Sequence, residues 1–209
     1  MKKSINALFL LGASLLSMSI IATPLAYVEG THYQPTAQRI ATSDDGVVEV
    51  YELFSYSCPH CFNLDPQIEQ WKKTLSDNVK FTRVPAIFRD SWLQLAKLFY
   101  AAEATGELDR LHPIIFNAIH VDKKRLNTED EILDFVANQG IDREMFAKTM
   151  NSFTVQSKVK KALVISQTSG ITGVPAMLVN GQYRTDAPAA GSMENMLNVV
   201  DFLIEQQTR

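Results

Sequence analysis

The chain has too few cysteines to build a disulfide framework. Its 209 residues contain only two, Cys58 and Cys61, in the segment Cys-Pro-His-Cys. A bridge between them closes so small a loop that it restricts the unfolded chain little, which makes it a poor structural staple. Such a bridge can, however, open and close without disturbing the rest of the fold. The pair therefore favours a redox-active site over a structural disulfide, which stays the first alternative.

Metal ligands are scarce as well. Outside the cysteine motif the chain has three histidines, His32, His112 and His120, and none belongs to a paired motif. A zinc site normally takes four Cys or His ligands, so zinc is a second and weaker alternative. A site for covalent attachment of c-type haem is excluded, because its motif needs a histidine after the second cysteine and Phe62 stands there. We therefore expect no metal and no other cofactor.

Long apolar runs are missing from all but the N-terminus. Two lysines follow the first methionine and residues 7–22 are largely apolar, which is typical of an export signal. We expect residues 1–26 to be the signal peptide, with cleavage after Ala26 and with Ala22 as the other candidate site. An uncleaved anchor is the alternative, although three serines dilute the run.

The remaining chain has no excess of positive charge. Without the two N-terminal lysines it carries 18 basic and 23 acidic residues. This balance disfavours nucleic acid or an anionic membrane surface as the main partner. Export also implies an oxidising compartment, in which a reactive pair of thiols can be held as a disulfide.

The region around the cysteines has the pattern of a βαβ unit. Residues 47–54 are rich in β-branched and aromatic side chains and predict a buried strand. The cysteine motif then opens a helix that carries Ile68, Trp71 and Leu75, and residues 79–84 predict the next strand. Since a strand, a helix and a strand follow within about 40 residues, the two strands should be parallel.

A helical block follows, approximately from residue 91 to residue 151. Thr128 and Glu131 form a capping box at the start of one helix. Gly140 should end that helix, and Asp142 should cap the next.

The C-terminal part predicts a hairpin and a final helix. Residues 176–179 and 182–184 flank Asn180-Gly181, which is a strong hairpin signal. Ser192 then caps a helix that has methionine, valine and leucine side chains on one face.

This order of elements resembles a thioredoxin fold with a helical insertion, and the whole chain resembles the DsbA family of periplasmic thiol oxidases. The resemblance is carried by Phe-Ser-Tyr-Ser-Cys-Pro-His-Cys at 54–61, by Gly-Val-Pro-Ala at 173–176 and by Val-Asn-Gly at 179–181. The Pro-His pair between the cysteines is specific, because thioredoxins typically carry Gly-Pro and the isomerases commonly Gly-Tyr.

The resemblance implies an α/β fold in which the insertion lies between a βαβ half and a hairpin-helix half. We expect the first part of the thioredoxin-like domain over residues 27–88, the helical insertion over 89–156 and the second part over 157–209.

Cys58 is the expected nucleophile. The N-terminus of a helix offers unpaired N–H groups and the positive end of the helix dipole, and both favour a thiolate. Cys61 lies one turn inside the helix and suits the resolving role. Pro59 fits the first turn of a helix because it needs no N–H there. His60 could add charge or a donor beside the sulfur, a role that depends mainly on the resemblance.

Val174 and Pro175 are further site residues that the resemblance implies. Without it, an ordinary trans proline before a strand would be the simplest interpretation. In the family this peptide bond is cis, the loop faces the cysteines, and the backbone of the residue at Val174 pairs with an extended substrate peptide.

Glu52 interrupts an apolar strand, where alternation places it on a packed face. A buried carboxylate is costly unless it is paired or protonated. The resemblance implies a part in proton transfer beneath the cysteines, with the family's usual lysine replaced by Arg83. Arginine keeps its proton, so a relay through both residues is in doubt. A surface carboxylate is the alternative.

The function that the resemblance implies is that of a soluble, monomeric periplasmic oxidase that donates the Cys58–Cys61 disulfide to newly exported proteins. A membrane quinone-linked partner of the DsbB type would reoxidise it. Two alternatives stay open, a reductase or isomerase of the same fold and a metal chaperone that holds Cu(I) between the cysteines.

Overall fold

The structure is a computed structural model that describes residues 27–43 and 46–208, so the predicted signal segment 1–26 lies outside the described residues. The strands of this part of the chain are β1 (Gln34–Pro35), β2 (Val48–Phe54), β3 (Val79–Pro85), β4 (Ala176–Val179) and β5 (Tyr183–Asp186). They form a sheet in the order β1-β5-β4-β2-β3. The central strand β2 is parallel to β3, as predicted for a βαβ unit, and antiparallel to β4.

The helices are α1 (Pro59–Trp71), α2 (Leu93–Ala104), α3 (Leu108–His120), α4 (Glu129–Ala137), α5 (Arg143–Met150), α6 (Phe153–Thr168), α7 (Ala187–Ala190) and α8 (Met193–Gln207). Short 3₁₀ turns occupy Lys72–Thr74 and Asp90–Trp92. None of the helices in the described part of the chain has the length and apolar character needed to cross a membrane.

The sheet divides the core in two. Val48 and Val50 of β2 pack with α1 and α8 on one face. Tyr51 and Leu53 point to the other face, where α2 to α6 cover them. Every residue of β2 is buried, including Glu49 and Glu52, as expected for a central strand that is covered on both faces. The architecture is therefore the predicted one, a mixed sheet with helices on both faces and a helical insertion between β3 and β4.

One predicted helix end was wrong, and another is confirmed. The helix after the cysteines stops at Trp71, so Leu75 lies beyond it, although its side chain still packs against the same core. The chain leaves the helix early because it must turn through Lys72–Thr74 to reach the parallel strand. The prediction that Gly140 ends the helix after the capping box is confirmed. Gly140 has φ at +81°, its N–H donates to the carbonyl of Ala137 at 2.9 Å, and the N–H of Ile141 donates to that of Val136 at 3.2 Å.

The predicted caps are confirmed. The hydroxyl of Thr128 accepts from the N–H of Glu131, whose side chain closes the capping box. Asp142 and Ser192 accept in the same way from N–H groups one turn into α5 and α8. The predicted end of the insertion, between residues 156 and 157, falls inside α6. That boundary stays a prediction.

The hairpin is confirmed around Asn180 and Gly181, although its second strand runs over Tyr183–Asp186 rather than 182–184. Both turn residues have positive φ, 50° and 61°, the combination that a type I′ turn requires. The turn also lies close to the N-terminal segment, because the N–H of Ile40 donates to the carbonyl of Gly181 at 3.0 Å. A Cβ at position 181 would stand 2.1 Å from the carbonyl oxygen of Ile40.

We expect Gly181→Ala to lower the free energy of unfolding more than Gly140→Ala does. Both positions have positive φ, which costs an L-residue about 1–2 kcal/mol, but position 140 has no atom within 4 Å of the new Cβ. Only the change at 181 must also push away the backbone of Ile40. Urea denaturation of the two variants measures the difference, and equal losses would contradict the close approach.

Candidate active site

Cys58 is the N-cap of α1, directly after the loop that leaves the carboxyl end of β2. Its own N–H donates to the carbonyl of Ser55 at 3.0 Å, and its carbonyl accepts the first helical bond from Phe62 at 3.1 Å. The sulfur therefore lies where the first N–H groups of the helix are unpaired. Both cysteines are free thiols, and 9% of Cys58 is exposed.

The environment of Cys58 favours the thiolate. The hydrogen bond from the Cys61 side chain is the largest cause that lowers its pKa, to about 6, against the opposing effect of burial. The backbone N–H groups of Cys61 and His60 lower it further, as expected at a helix N-terminus. At neutral pH this thiol is therefore mostly ionised.

Cys61 is the opposite case. It is completely buried, and burial is the main cause that raises its pKa far above that of an ordinary thiol. Its bond to the Cys58 sulfur adds to this, because donating that bond requires the proton. One thiol is thus reachable and ionised, and the other is hidden and protonated.

Pro59 and His60 occupy the first turn of α1, and both are exposed. The contribution of His60 to the low pKa of Cys58 comes first through its backbone N–H and only then through the charge of its ring. A catalytic role for the His60 ring stays a prediction that the contacts support only weakly.

The loop 172–175 faces the cysteines. The Val174–Pro175 bond is cis, which confirms that prediction. The thiol of Cys58 donates to the carbonyl oxygen of Val174 at 3.3 Å. A thiolate or a disulfide has no proton to donate, so this carbonyl is released for another donor whenever Cys58 ionises or is oxidised.

Glu52 is 2% exposed, which excludes the surface alternative. Its partner is Arg83, which lies opposite in the register of β2 and β3 and donates to it at 2.9 Å. Arg83 also donates to Asp65 at 2.6 Å and to Glu69 at 2.7 Å. We call these four residues the charged cluster.

Burial raises the pKa of Glu52 to about 7, although Arg83 acts in the opposite direction. Burial also disfavours the charge of Arg83, but the surrounding carboxylates outweigh this and raise its pKa. Arg83 therefore stays charged, and Glu52 is the member of this pair that can exchange a proton near neutral pH. Its role in catalysis stays a prediction.

Asp65 and Glu69 were missed as site residues, although their spacing of four residues on α1 places them on one helix face. The register Glu52–Arg83 could have been inferred from the βαβ unit. Nothing in the sequence pointed to His112, whose Nε2 lies 3.1 Å from the carboxylate of Asp65. That contact depends on how the helical insertion packs against α1.

The hydrogen bond from Cys61 yields a matched pair of variants. We expect Cys61→Ala to raise the pKa of Cys58 above its wild-type value of about 6, because the largest stabilising contact is lost. Cys61→Ser should raise it less, since a hydroxyl can still donate. The pH dependence of alkylation of Cys58 by iodoacetamide gives each pKa. Equal values in the two variants would show that the donor is unimportant.

Comparisons with known proteins agree with this geometry. Residues 67–201 match the model of the DSBA-like thioredoxin domain. The thiol:disulfide interchange protein DsbA of Azotobacter vinelandii is 40% identical, over 99% of this chain and 98% of its own length. That of Pseudomonas aeruginosa is 38% identical, over 99% and 97%.

Crystal structures of the family superpose on the described fold. The structure of Pseudomonas aeruginosa DsbA has a TM-score of 0.82 at 39% identity and covers 87% of this chain and 94% of its own. That of the oxidoreductase DsbA from Xylella fastidiosa has a TM-score of 0.80 at 29% identity, with 88% and 98% covered. The chain therefore belongs to the DsbA family of thiol:disulfide interchange proteins, and it is a protein disulfide oxidoreductase.

Proposed function

We propose that this protein oxidises the thiols of newly exported proteins in the periplasm, with the Cys58–Cys61 disulfide as the oxidant. The observation that carries the proposal is the contrast between the two thiols. Cys58 is held as a thiolate at the start of α1, whereas Cys61 is buried and protonated. Because the reduced pair is stabilised, giving the disulfide away is favourable.

The reaction proceeds in two exchanges. A substrate thiolate attacks the Cys58 sulfur, the Cys58–Cys61 bond breaks, and Cys61 leaves and takes up a proton. A second substrate thiolate then attacks the substrate sulfur of the mixed disulfide, and Cys58 leaves as the thiolate. The substrate loses two electrons and gains a disulfide, and the enzyme gains the electrons as a dithiol. A low pKa makes Cys58 a good leaving group in the second step.

Glu52 is the group we assign to the proton of Cys61. It lies in the charged cluster beneath the helix, and its charge acts on Cys61. With a pKa of about 7 it can release or take up a proton at neutral pH. Arg83 holds this carboxyl in place and is not itself part of the transfer, since a guanidinium does not give up its proton.

In this proposal the substrate peptide binds at the loop 172–175. A cleft of about 570 Å³ lies beside this loop, and its lining includes His60, Val174, Pro175 and Met193. The carbonyl of Val174, freed when Cys58 is oxidised, can accept an N–H of an extended peptide, as in strand addition. Backbone pairing suits an enzyme that accepts many unfolded sequences.

The partners of this cycle are unfolded exported proteins with free thiols and a membrane quinone-linked oxidase of the DsbB type that restores the disulfide. We propose that the protein acts as a soluble monomer after removal of its signal peptide, and that it uses no metal, cofactor or nucleic acid.

The assay that tests the function uses a reduced, unfolded protein with several native disulfides, in glutathione buffer. Catalytic amounts of the oxidised protein should accelerate the loss of substrate thiols, Cys58→Ser should abolish the effect, and Cys61→Ala should accumulate the mixed disulfide. Acceleration only with a scrambled, fully oxidised substrate would indicate an isomerase. No acceleration with either substrate would reject both.

The redox state should also change stability in a pH-dependent way. The folded pKa of Cys58, about 6, lies below that of an unfolded thiol, about 8.5. The resulting stabilisation of the reduced protein is fully present above the unfolded pKa and is lost as pH falls through the folded one. We therefore expect the reduced form to melt above the oxidised form at neutral pH, and the gap to narrow on acidification towards pH 5.

Thermal melts of both forms at several pH values measure this gap. Glu52, whose folded pKa is raised, makes the stability of the fold decrease as the pH rises from about 4.5 to 7, which is opposite to the effect of Cys58. Because Glu52 is present in both redox forms, its effect is removed by comparing the melting temperatures of the two forms. Reduced Cys58→Ser lacks the thiolate and is the control. A higher melting temperature for the oxidised wild type at neutral pH would mean that the disulfide acts as a staple.

A further inference from the structure

Tyr56 lies two residues before Cys58, in the loop between β2 and α1, and only 1% of it is exposed. One helix of the insertion, α3, forms hydrogen bonds with both the side-chain hydroxyl and the backbone carbonyl of Tyr56. Its hydroxyl lies 2.7 Å from Nδ1 of His112, and its carbonyl oxygen lies 2.8 Å from Nε2 of His120. Both histidines belong to α3, so the contacts cross from the helical insertion to the loop that carries the nucleophile.

One set of protonation states satisfies all of these bonds. A carbonyl only accepts, so His120 donates from Nε2. The carboxylate of Asp65, held by Arg83, accepts from Nε2 of His112 at 3.1 Å. Nδ1 of His112 is then the acceptor for the hydroxyl of Tyr56. Burial lowers the pKa of His112, in agreement with the neutral ring that this arrangement needs.

The face of α3 that meets the loop repeats every four residues, as side chains on one face of a helix must. Phe116, midway between the two histidines, places its ring edge to face against Tyr56, with 4.9 Å between the centroids. His120 stacks on Phe62, the residue after Cys61, at the same separation and with 13° between the planes. Helix α3 therefore contacts the chain on both sides of the cysteines, at Tyr56 in the loop and at Phe62 in α1.

These contacts of α3 restrain the backbone of the loop that orients Cys58. The loop is short, and the N–H groups of Ser57 and Cys58 are both turned back onto Ser55. Rotating the peptide after Tyr56 would remove its carbonyl from His120 and leave a polar group of this buried residue unpaired, which is unfavourable.

We propose that His112 and His120 are positioning residues for the disulfide exchange, through which the helical insertion fixes the loop that orients Cys58. The proposal rests on the proposed function, in that Cys58 is the attacked sulfur. Neither histidine touches the reacting sulfurs. Their effect is greatest in the reduced form, because in the oxidised form the bond to Cys61 itself restrains Cys58.

The test is the equilibrium constant between the protein and glutathione. Three variants keep a ring in place and remove hydrogen bonds. His120→Phe and Tyr56→Phe remove one bond each, and His112→Phe removes the bonds to Tyr56 and Asp65. We expect each to make the protein a weaker oxidant, with the constant shifted about twofold to tenfold for each net hydrogen bond lost. His32→Phe is the matched control, because the ring of His32 accepts a hydrogen bond from the N–H of Val28 in an exposed turn and packs against Tyr27, both in the N-terminal segment and outside the loop that carries Cys58.

A purely structural role would lower the stability of the oxidised and reduced forms equally and leave the glutathione equilibrium unchanged. That result in all three variants would overturn the proposal. The double variant Tyr56→Phe with His112→Phe should shift the equilibrium no more than the larger single change, because both remove the same bond. If His112→Phe does not fold, Tyr56→Phe and His120→Phe decide.

The two proposals fail separately. The glutathione equilibrium needs no substrate protein, so it tests the histidines whether or not the wild type oxidises unfolded chains. A wild type that fails the substrate assay while the three variants still shift the equilibrium rejects the proposed function and keeps the positioning role.

Discussion

The hydrogen bond from the buried thiol of Cys61 to the sulfur of Cys58 is the interaction on which the chemistry depends. It makes two identical side chains unequal, because the donor must keep its proton and the acceptor is stabilised without one. The fold supplies what this bond needs. The helix start is placed at the end of a fully buried strand, and the second cysteine lies one turn deeper in the core. Disulfide donation follows from this asymmetry, since it stabilises the reduced state.

The polar groups beneath the cysteines form one connected system rather than separate ion pairs. From Glu52 it runs through Arg83 and Asp65 to His112, and from there to the hydroxyl of Tyr56. A buried charge or polar group is tolerated only with a partner, so each member fixes the next. The system therefore connects Glu52 in β2 to Tyr56 in the loop that precedes Cys58. Its far end belongs to α3, so the helices between β3 and β4 supply a polar group to this system in addition to covering the sheet.

The loop 172–175 gives the site its second side. The carbonyl of Val174 accepts a hydrogen bond from Cys58 only while the thiol is neutral, so either ionisation or oxidation of the cysteine makes this carbonyl available. A single atom thus links the sulfur chemistry to the place where a peptide backbone would pair. Specificity for sequence is not needed for such a contact, because every substrate residue other than proline offers the same N–H.

The cysteine motif, the βαβ order, the caps and the hairpin could all be predicted from the sequence, because each depends on neighbouring residues and on local backbone preferences. The low pKa of Cys58 could be expected from its place at a helix N-terminus, and the burial of Glu52 from alternation along the strand. The end of α1 was less predictable: Leu75 continued the apolar spacing of the helix, yet the chain had to turn before it.

Contacts between distant segments were decided by the tertiary structure alone. His112 and His120 resemble any other helix residues in the sequence, and only the packing of α3 against α1 brings them to Tyr56. The cis bond at Pro175 was expected from the family resemblance and not from the residues themselves. Local patterns determine elements one at a time, whereas these contacts exist only once burial of two apolar faces has fixed how the elements meet.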